Sequence, residues 1–126
     1  MFVDPQCSFS RRALQQLRPY VASGRVQLAV IPVSVLDHED QELSTVRAEA
    51  MLGLPREQMV AAWAENRMGG LAEAGAVTGL QANMMAADRI GLKGTPTFLW
   101  RKADGSEGRA DGIPADLEAM VASASR

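Results

Sequence analysis

The chain has 126 residues, 47% hydrophobic and 22% charged, the make-up of one soluble globular domain that can fold without a disulfide or metal staple. Its net charge of −2 gives no general attraction to phosphate backbones or anionic lipid, so neither nucleic acid nor a membrane is expected as a partner. A single cysteine excludes an internal disulfide, and one cysteine with one histidine argues against a protein-only zinc site, so no metal and no cofactor is expected.

No apolar run approaches the ~20 residues needed to cross a bilayer. The longest, VQLAVIPVSVL at 26–36, contains Pro32 and reads as a strand. The opening MFVDPQC lacks the basic start and long apolar core of a signal peptide. The expectation is a cytosolic chain, or a mature or trimmed form of an exported one.

In chain order, Phe2 and Val3 read as a strand fragment running directly into Asp4-Pro5. Such a short strand suggests a chain cut inside a longer one. Residues 8–22 read as an amphipathic helix. Phe9, Ala13, Leu14, Leu17, Tyr20 and Val21 fall within an arc of roughly 140° on a 3.6-residue wheel. Arg11, Arg12, Gln15 and Arg18 lie opposite, Pro19 is expected to kink the last turn, and Gly24 is the expected cap. VQLAVIPV at 26–33 reads as a strand buried on both faces. LDHEDQE at 36–42 reads as an acidic loop. Helices are expected over 43–52 and 56–66, the second opened by Pro55.

Met68 to Gly79 reads as a looser, glycine-rich segment, followed by a helix over 80–92 that ends at Gly91. Residues 95–102 read as a strand, 104–108 as a hairpin turn and 107–112 as its partner strand. A final helix is expected over 114–124. The order gives an α/β domain with a small mixed sheet and a helical insertion over about 41–92.

Chemistry concentrates at DPQCSFSRR, residues 4–12. Cys7 sits where strand gives way to helix. A helix N-terminus carries partial positive charge and unpaired N–H groups, and both favour a thiolate. Arg11 and Arg12 add positive charge. Ser10, three residues on, lies on the same side of the first turn and can donate to the sulfur. Asp4 is a candidate for tuning the thiolate, as is Arg11, although capping the turn is the commoner role for an aspartate there. The bland alternative for Cys7 is a buried, inert cysteine. GTPTF at 94–98 is the second signal. Pro96 opens a strand, and the segment by itself favours an ordinary trans Thr95–Pro96 bond.

FVDPQCSFSRRALQQLRPYVASGRVQL resembles the catalytic domain of the DsbC/DsbG disulfide isomerases, the DsbG branch being the more similar. The likeness rests on an F-x-D-P-x-C run, a helix ending RPxVxSG, a strand, a helical insertion and a late TP loop. It covers the chain from Phe2 to the final helix. DPQC followed by RPYVASGRVQL is the more specific part, and GTPTF marks the wider thioredoxin superfamily.

The resemblance implies a thioredoxin-like fold, Cys7 as nucleophile and Pro96 as a cis-proline facing it. It implies a substrate-binding surface with Thr95, Pro96 and Phe9, and a periplasmic protein acting on cysteine-containing or misfolded protein substrates. Electrons would come from a membrane thiol-reductase or a small thiol. Three departures stand out. The family's second cysteine is Ser10 here, its N-terminal dimerisation domain is absent, and the strand leading into the motif is nearly missing.

Ser10 has no thiol with which to resolve a mixed disulfide. A one-thiol site can still isomerise or reduce, but it cannot oxidise dithiols through an internal disulfide. Serine is equally the residue of a natural one-thiol site and the usual engineered trap.

Two further readings compete. One is a redox-inactive binding or chaperone module for unfolded chains, offering methionine and tryptophan surface; Met51, Met59, Met84 and Met85 read more simply as helix packing. The other pairs Cys7 with His38 as nucleophile and base, but no motif surrounds His38 in its acidic loop. Glu42, Glu49 and Glu57 read as solvated charges.

Overall fold

The computed structural model describes residues 1–68 and 75–124. Among these residues it is an α/β arrangement of six helices and a four-stranded mixed sheet. In chain order these are β1 (Phe2–Val3), α1 (Ser8–Ala22), β2 (Ile31–Pro32), α2 (Asp37–Asp40), α3 (Leu43–Leu52), α4 (Arg56–Ala64), α5 (Ala76–Arg89), β3 (Thr97–Arg101), β4 (Glu107–Asp111) and α6 (Leu117–Ser123). The strand order is β2-β1-β3-β4. β1 runs parallel to β2 and antiparallel to β3, with Phe2 opposite both Ile31 and Thr97. The β3–β4 hairpin pairs Thr97 with Asp111 through to Arg101 with Glu107.

Side chains alternate across a strand, and here the alternation divides the interior in two. Val3 and Met1 join Leu14, Leu17, Met51, Met59, Trp63, Phe98 and Val121 in the larger core. Phe2 turns the other way, to Val33 and Ala87, where Met84, Ile90 and Leu92 also pack. The helical insertion thus supplies both faces: α3 and α4 feed the larger core and α5 covers the smaller. The bland reading of the methionines holds for Met51, Met59 and Met84, whereas Met85 is 57% exposed.

α1 and α3 have the expected bounds. α1 continues through Pro19 to Ala22 and ends in a Schellman turn. Gly24 takes φ 76, its N–H reaches Val21 O, and the Arg25 N–H reaches Tyr20 O at 3.0 Å.

Four expectations need correction. The segment expected as one strand over 26–33 joins the ladder only at Ile31–Pro32, because β1 offers it a partner only from Met1 to Val3; Gln27 and Ala29 are exposed rather than buried. The acidic loop contains a helical turn, α2, closed by Gln41 in the left-handed region. α4 stops at Ala64, because Asn66 takes φ 54 and its neighbour Arg67 bonds back to Ala62 O. α6 starts at Leu117 rather than 114, because Asp116 caps it by accepting from the Ala119 N–H at 2.9 Å.

α5 begins at Ala76, inside the segment expected to be loose. Residues 69–74 of that segment lie outside the described residues. α5 closes at Gly91 as expected. Arg109 of β4 also donates to the end carbonyls of Ile90 and Gly91, satisfying groups a helix end leaves open.

Candidate functional site

The site is built where β1 hands over to α1. Asp4, Pro5 and Gln6 make the turn, closed by the Cys7 N–H on Asp4 O at 2.9 Å. Cys7 is then the N-cap of α1, with extended φ −82 and ψ 119, and its carbonyl accepts the first helical bond from Arg11 N. Cys7 makes no capping bond with its own side chain, and the first turn carries no acidic residue. The sulfur therefore stands at the positive end of a 15-residue helix whose first N–H groups have no helical partner.

The second element comes from the far end of the chain. The Thr95–Pro96 peptide is cis, against the reading of that segment alone and with the reading implied by resemblance. Thr97 Oγ1 donates to Gly94 O at 2.8 Å and Gly112 N–H to Pro96 O at 2.8 Å, fixing this corner between β3 and the end of β4. The Cys7 thiol reaches Thr95 O at 3.4 Å. Two motifs 88 residues apart thus meet at one sulfur. Pro96 is buried, and Cys7 is 9% exposed.

Beside this junction lies a shallow groove of about 470 Å³, lined by Phe9, Arg12, Gln16, Thr95, Gly112 and Ile113. Phe9 is 54% exposed, with the Arg12 guanidinium 5.4 Å from its ring centre. An aromatic face, an aliphatic side chain and polar side chains beside a sulfur suit a peptide segment.

The other expected site residues behave differently. Ser10 is fully buried, and its Oγ has no hydrogen-bond partner among the described residues. The expected bond from Ser10 to the sulfur is not formed. The sulfur instead turns across to Thr95, while the Ser10 side chain is buried.

Arg11 is directed away from a role at the sulfur. It donates to Trp63 O at 3.0 Å and Asn66 Oδ1 at 2.8 Å, and it stacks 5.4 Å from the centre of Trp63. It caps the C-terminus of α4, and desolvation, then the nearby Arg47, lowers its pKa.

Asp4 neither caps α1 nor touches the sulfur. Its Oδ1 accepts from Gln6 N and Ser44 Oγ, both at 2.9 Å, and its Oδ2 from Val35 N at 2.8 Å and Leu36 N at 3.0 Å. This fully buried carboxylate ties the motif turn to the chain after β2 and to α3. His38 lies exposed on α2, and the sulfur's bond goes to a backbone carbonyl rather than an imidazole.

Sequence reasoning missed Trp63. Fully buried, it donates from Nε1 to Pro5 O at 3.2 Å and so braces the turn that carries Cys7. The signal was one tryptophan among the alanines that end its helix, but nothing local says which turn it meets. Ile113 and Gly112 were also missed, since their place at the groove depends on β4 returning to Pro96. Among the described residues no group of three or more acidic, histidine or cysteine side chains could hold a metal ion. Compared with family models and with curated proteins, the chain matches none.

Proposed function

We propose that the protein is a thiol–disulfide exchange protein of DsbC/DsbG type, with a thioredoxin-like fold, working through the single nucleophile Cys7. One observation carries this reading: Cys7 Sγ sits at the N-terminus of α1, 3.4 Å from the carbonyl of the residue preceding a cis-proline. The strand order and the helical insertion between β2 and β3 are consistent with that fold.

The Cys7 thiolate attacks one sulfur of a substrate disulfide. A Cys7–substrate disulfide forms, the substrate S–S bond breaks, and the departing thiolate takes a proton from water. The substrate's extended backbone lies along the Phe9–Ile113 groove, within reach of the Thr95 backbone. A second substrate thiolate then attacks the substrate sulfur of the mixed disulfide and breaks its bond to Cys7. It forms a new substrate disulfide and returns Cys7 as thiolate, which is isomerisation without net redox change. Two small thiols in succession would instead reduce the substrate and leave as their own disulfide. Ser10 performs neither step. The partners are cysteine-containing or misfolded exported proteins and a small-thiol or membrane-reductase donor, and the compartment is the periplasm.

The test is refolding of a scrambled multi-disulfide protein in a glutathione buffer. The wild-type chain should accelerate recovery, Ser10→Ala should retain this, and Cys7→Ala should abolish it. The half-exposed Phe9 and its groove favour a second reading, a binding module without covalent chemistry. On that reading Cys7→Ala would leave both peptide binding and refolding assistance intact.

A further inference from the structure

Arg12 stands apart from the arginines around it. Arg11 is held at the end of α4 and Arg109 at the end of α5. Ion pairs among the described residues join Arg25 to Glu118, Arg67 to Glu65 and Arg109 to Asp111, and Arg12 enters none of them. α1 carries no aspartate or glutamate to pair with it. Asp111, the acid next to Gly112 of the groove, is already held by Arg109. The exposed Arg12 guanidinium instead lies 5.4 Å from the centre of the Phe9 ring, on the wall of the 470 Å³ groove. Stacking steadies a guanidinium and leaves its N–H edge able to meet a carboxylate.

The groove also has a direction. One wall is a stripe of α1, with Phe9, Arg12 and Gln16 at i, i+3 and i+7. The rest of its lining, Thr95, Gly112 and Ile113, lies just before β3 and just after β4. Cys7, bonded to Thr95 O, therefore marks one end. Arg12 is five residues further along the helix, ~7.5 Å at the α-helical rise. An extended chain covers ~7 Å in two residues, and side chains two apart share a face.

We propose that Arg12 determines specificity, and that the groove takes an extended protein segment with a carboxylate side chain two residues from its reacting cysteine. The inference rests on the exchange reading for the cysteine. Arg12 is the only charged residue among those lining the groove, so its complement is an anion. Gln16 lies a further turn on, ~13.5 Å from Cys7 along the helix, where its amide can bond a peptide backbone. That length favours a protein segment over an anionic small thiol, which ends near Arg12.

The test measures how fast Cys7 forms a disulfide with three peptides, each with its one cysteine disulfide-linked to 2-mercaptoethanol. The first has glutamate at both positions two residues from the cysteine, the second glutamine there, and the third glutamate at both adjacent positions. Each rate is divided by that of free 2-mercaptoethanol attacking the same peptide. The first peptide should react about threefold or more faster than the other two, and the advantage should shrink in high salt. Arg12→Gln should abolish the advantage and Arg12→Lys should restore part of it; a role for Arg12 in folding alone would slow all three peptides alike. Equal rates for the first and second peptides, equal rates for the two glutamate registers, or an advantage that survives Arg12→Gln would overturn the proposal. Equal peptide rates beside an Arg12-dependent preference for glutathione disulfide over 2-mercaptoethanol disulfide would overturn it in favour of an anionic small thiol. The same peptides with serine for cysteine, bound to the Cys7→Ala chain, read the groove without the chemistry. An acid preference in binding without any exchange by the wild-type chain would reject the exchange reading and keep the role of Arg12. No acid preference in either measurement would reject that role whatever Cys7 does.

Discussion

Two polar residues beside Cys7 are both fully buried and differ sharply in partners. Asp4 accepts four hydrogen bonds, three of them from the backbone at Gln6, Val35 and Leu36. Removing the carboxylate strands those donors, at about 1–3 kcal/mol each. Asp4→Ala should therefore lower the denaturant-unfolding free energy by about 3 kcal/mol or more, whereas Ser44→Ala should cost about 1 kcal/mol. A small loss for Asp4→Ala would show that water replaces the carboxylate. Ser10 is the reverse case, a buried hydroxyl without a partner among the described residues. Ser10→Ala should leave stability unchanged or raised by about 1 kcal/mol in the same measurement.

These roles were only half legible. The sequence marks Asp4 as the acid of a turn, but three of its four donors come from 31 to 40 residues away. Ser10 was placed near Cys7 by helical spacing, and spacing cannot say that the sulfur prefers a carbonyl brought by β3. Arg11 was expected to add charge at the sulfur, and the C-terminus of α4, with its unsatisfied carbonyls, drew it away instead.

Among the elements, helices with strong local signals were readable: α1 by its apolar arc and Gly24, and α3 after the acidic segment. Strands were less so, because a ladder depends on its partner. The Val/Ile-rich run over 26–33 has the right residues, yet pairs only as far as β1 reaches. The hairpin carries a packing condition that no propensity announces. Gly108 lies opposite Trp100, and a Cβ there would come within 2.1 Å of the indole. Trp100 in turn donates to Ser123 Oγ at 2.9 Å, linking β3 to α6. Gly108→Ala should displace the indole, break this link and cost about 1–3 kcal/mol. The checks are Tm and the tryptophan fluorescence, with Trp100→Phe as the background in which the penalty should shrink.

For the whole molecule, in a chain whose first residue is Met1, the buried α-amine makes stability depend on pH. Its pKa is lowered to about 6 when folded, against 8.0 when free. The unfolded chain binds the extra proton between these values. Stability is therefore fully present above about pH 8, falls as pH drops from 8 toward 6, and is lower by about 2–3 kcal/mol below that. Acetylating the Met1 nitrogen should remove this slope in denaturant titrations between pH 5.5 and 8.5. An unchanged slope after acetylation would assign it to other groups.

The fold's largest consequence for function is that it joins residues 7 and 95 at one point. The sequence names both, and only the path of β3 beside β1 brings them together. The central claim is that this junction makes Cys7 an exchange nucleophile. The direct measurement is the rate at which Cys7 forms a mixed disulfide with a disulfide-containing peptide, in the folded chain and in the same chain unfolded by urea. Faster reaction in the folded chain, slowed by Phe9→Ala and absent in Cys7→Ala, is the predicted result. A folded-state rate at or below that of the unfolded chain would contradict it and leave the groove as a binding surface beside an inert thiol.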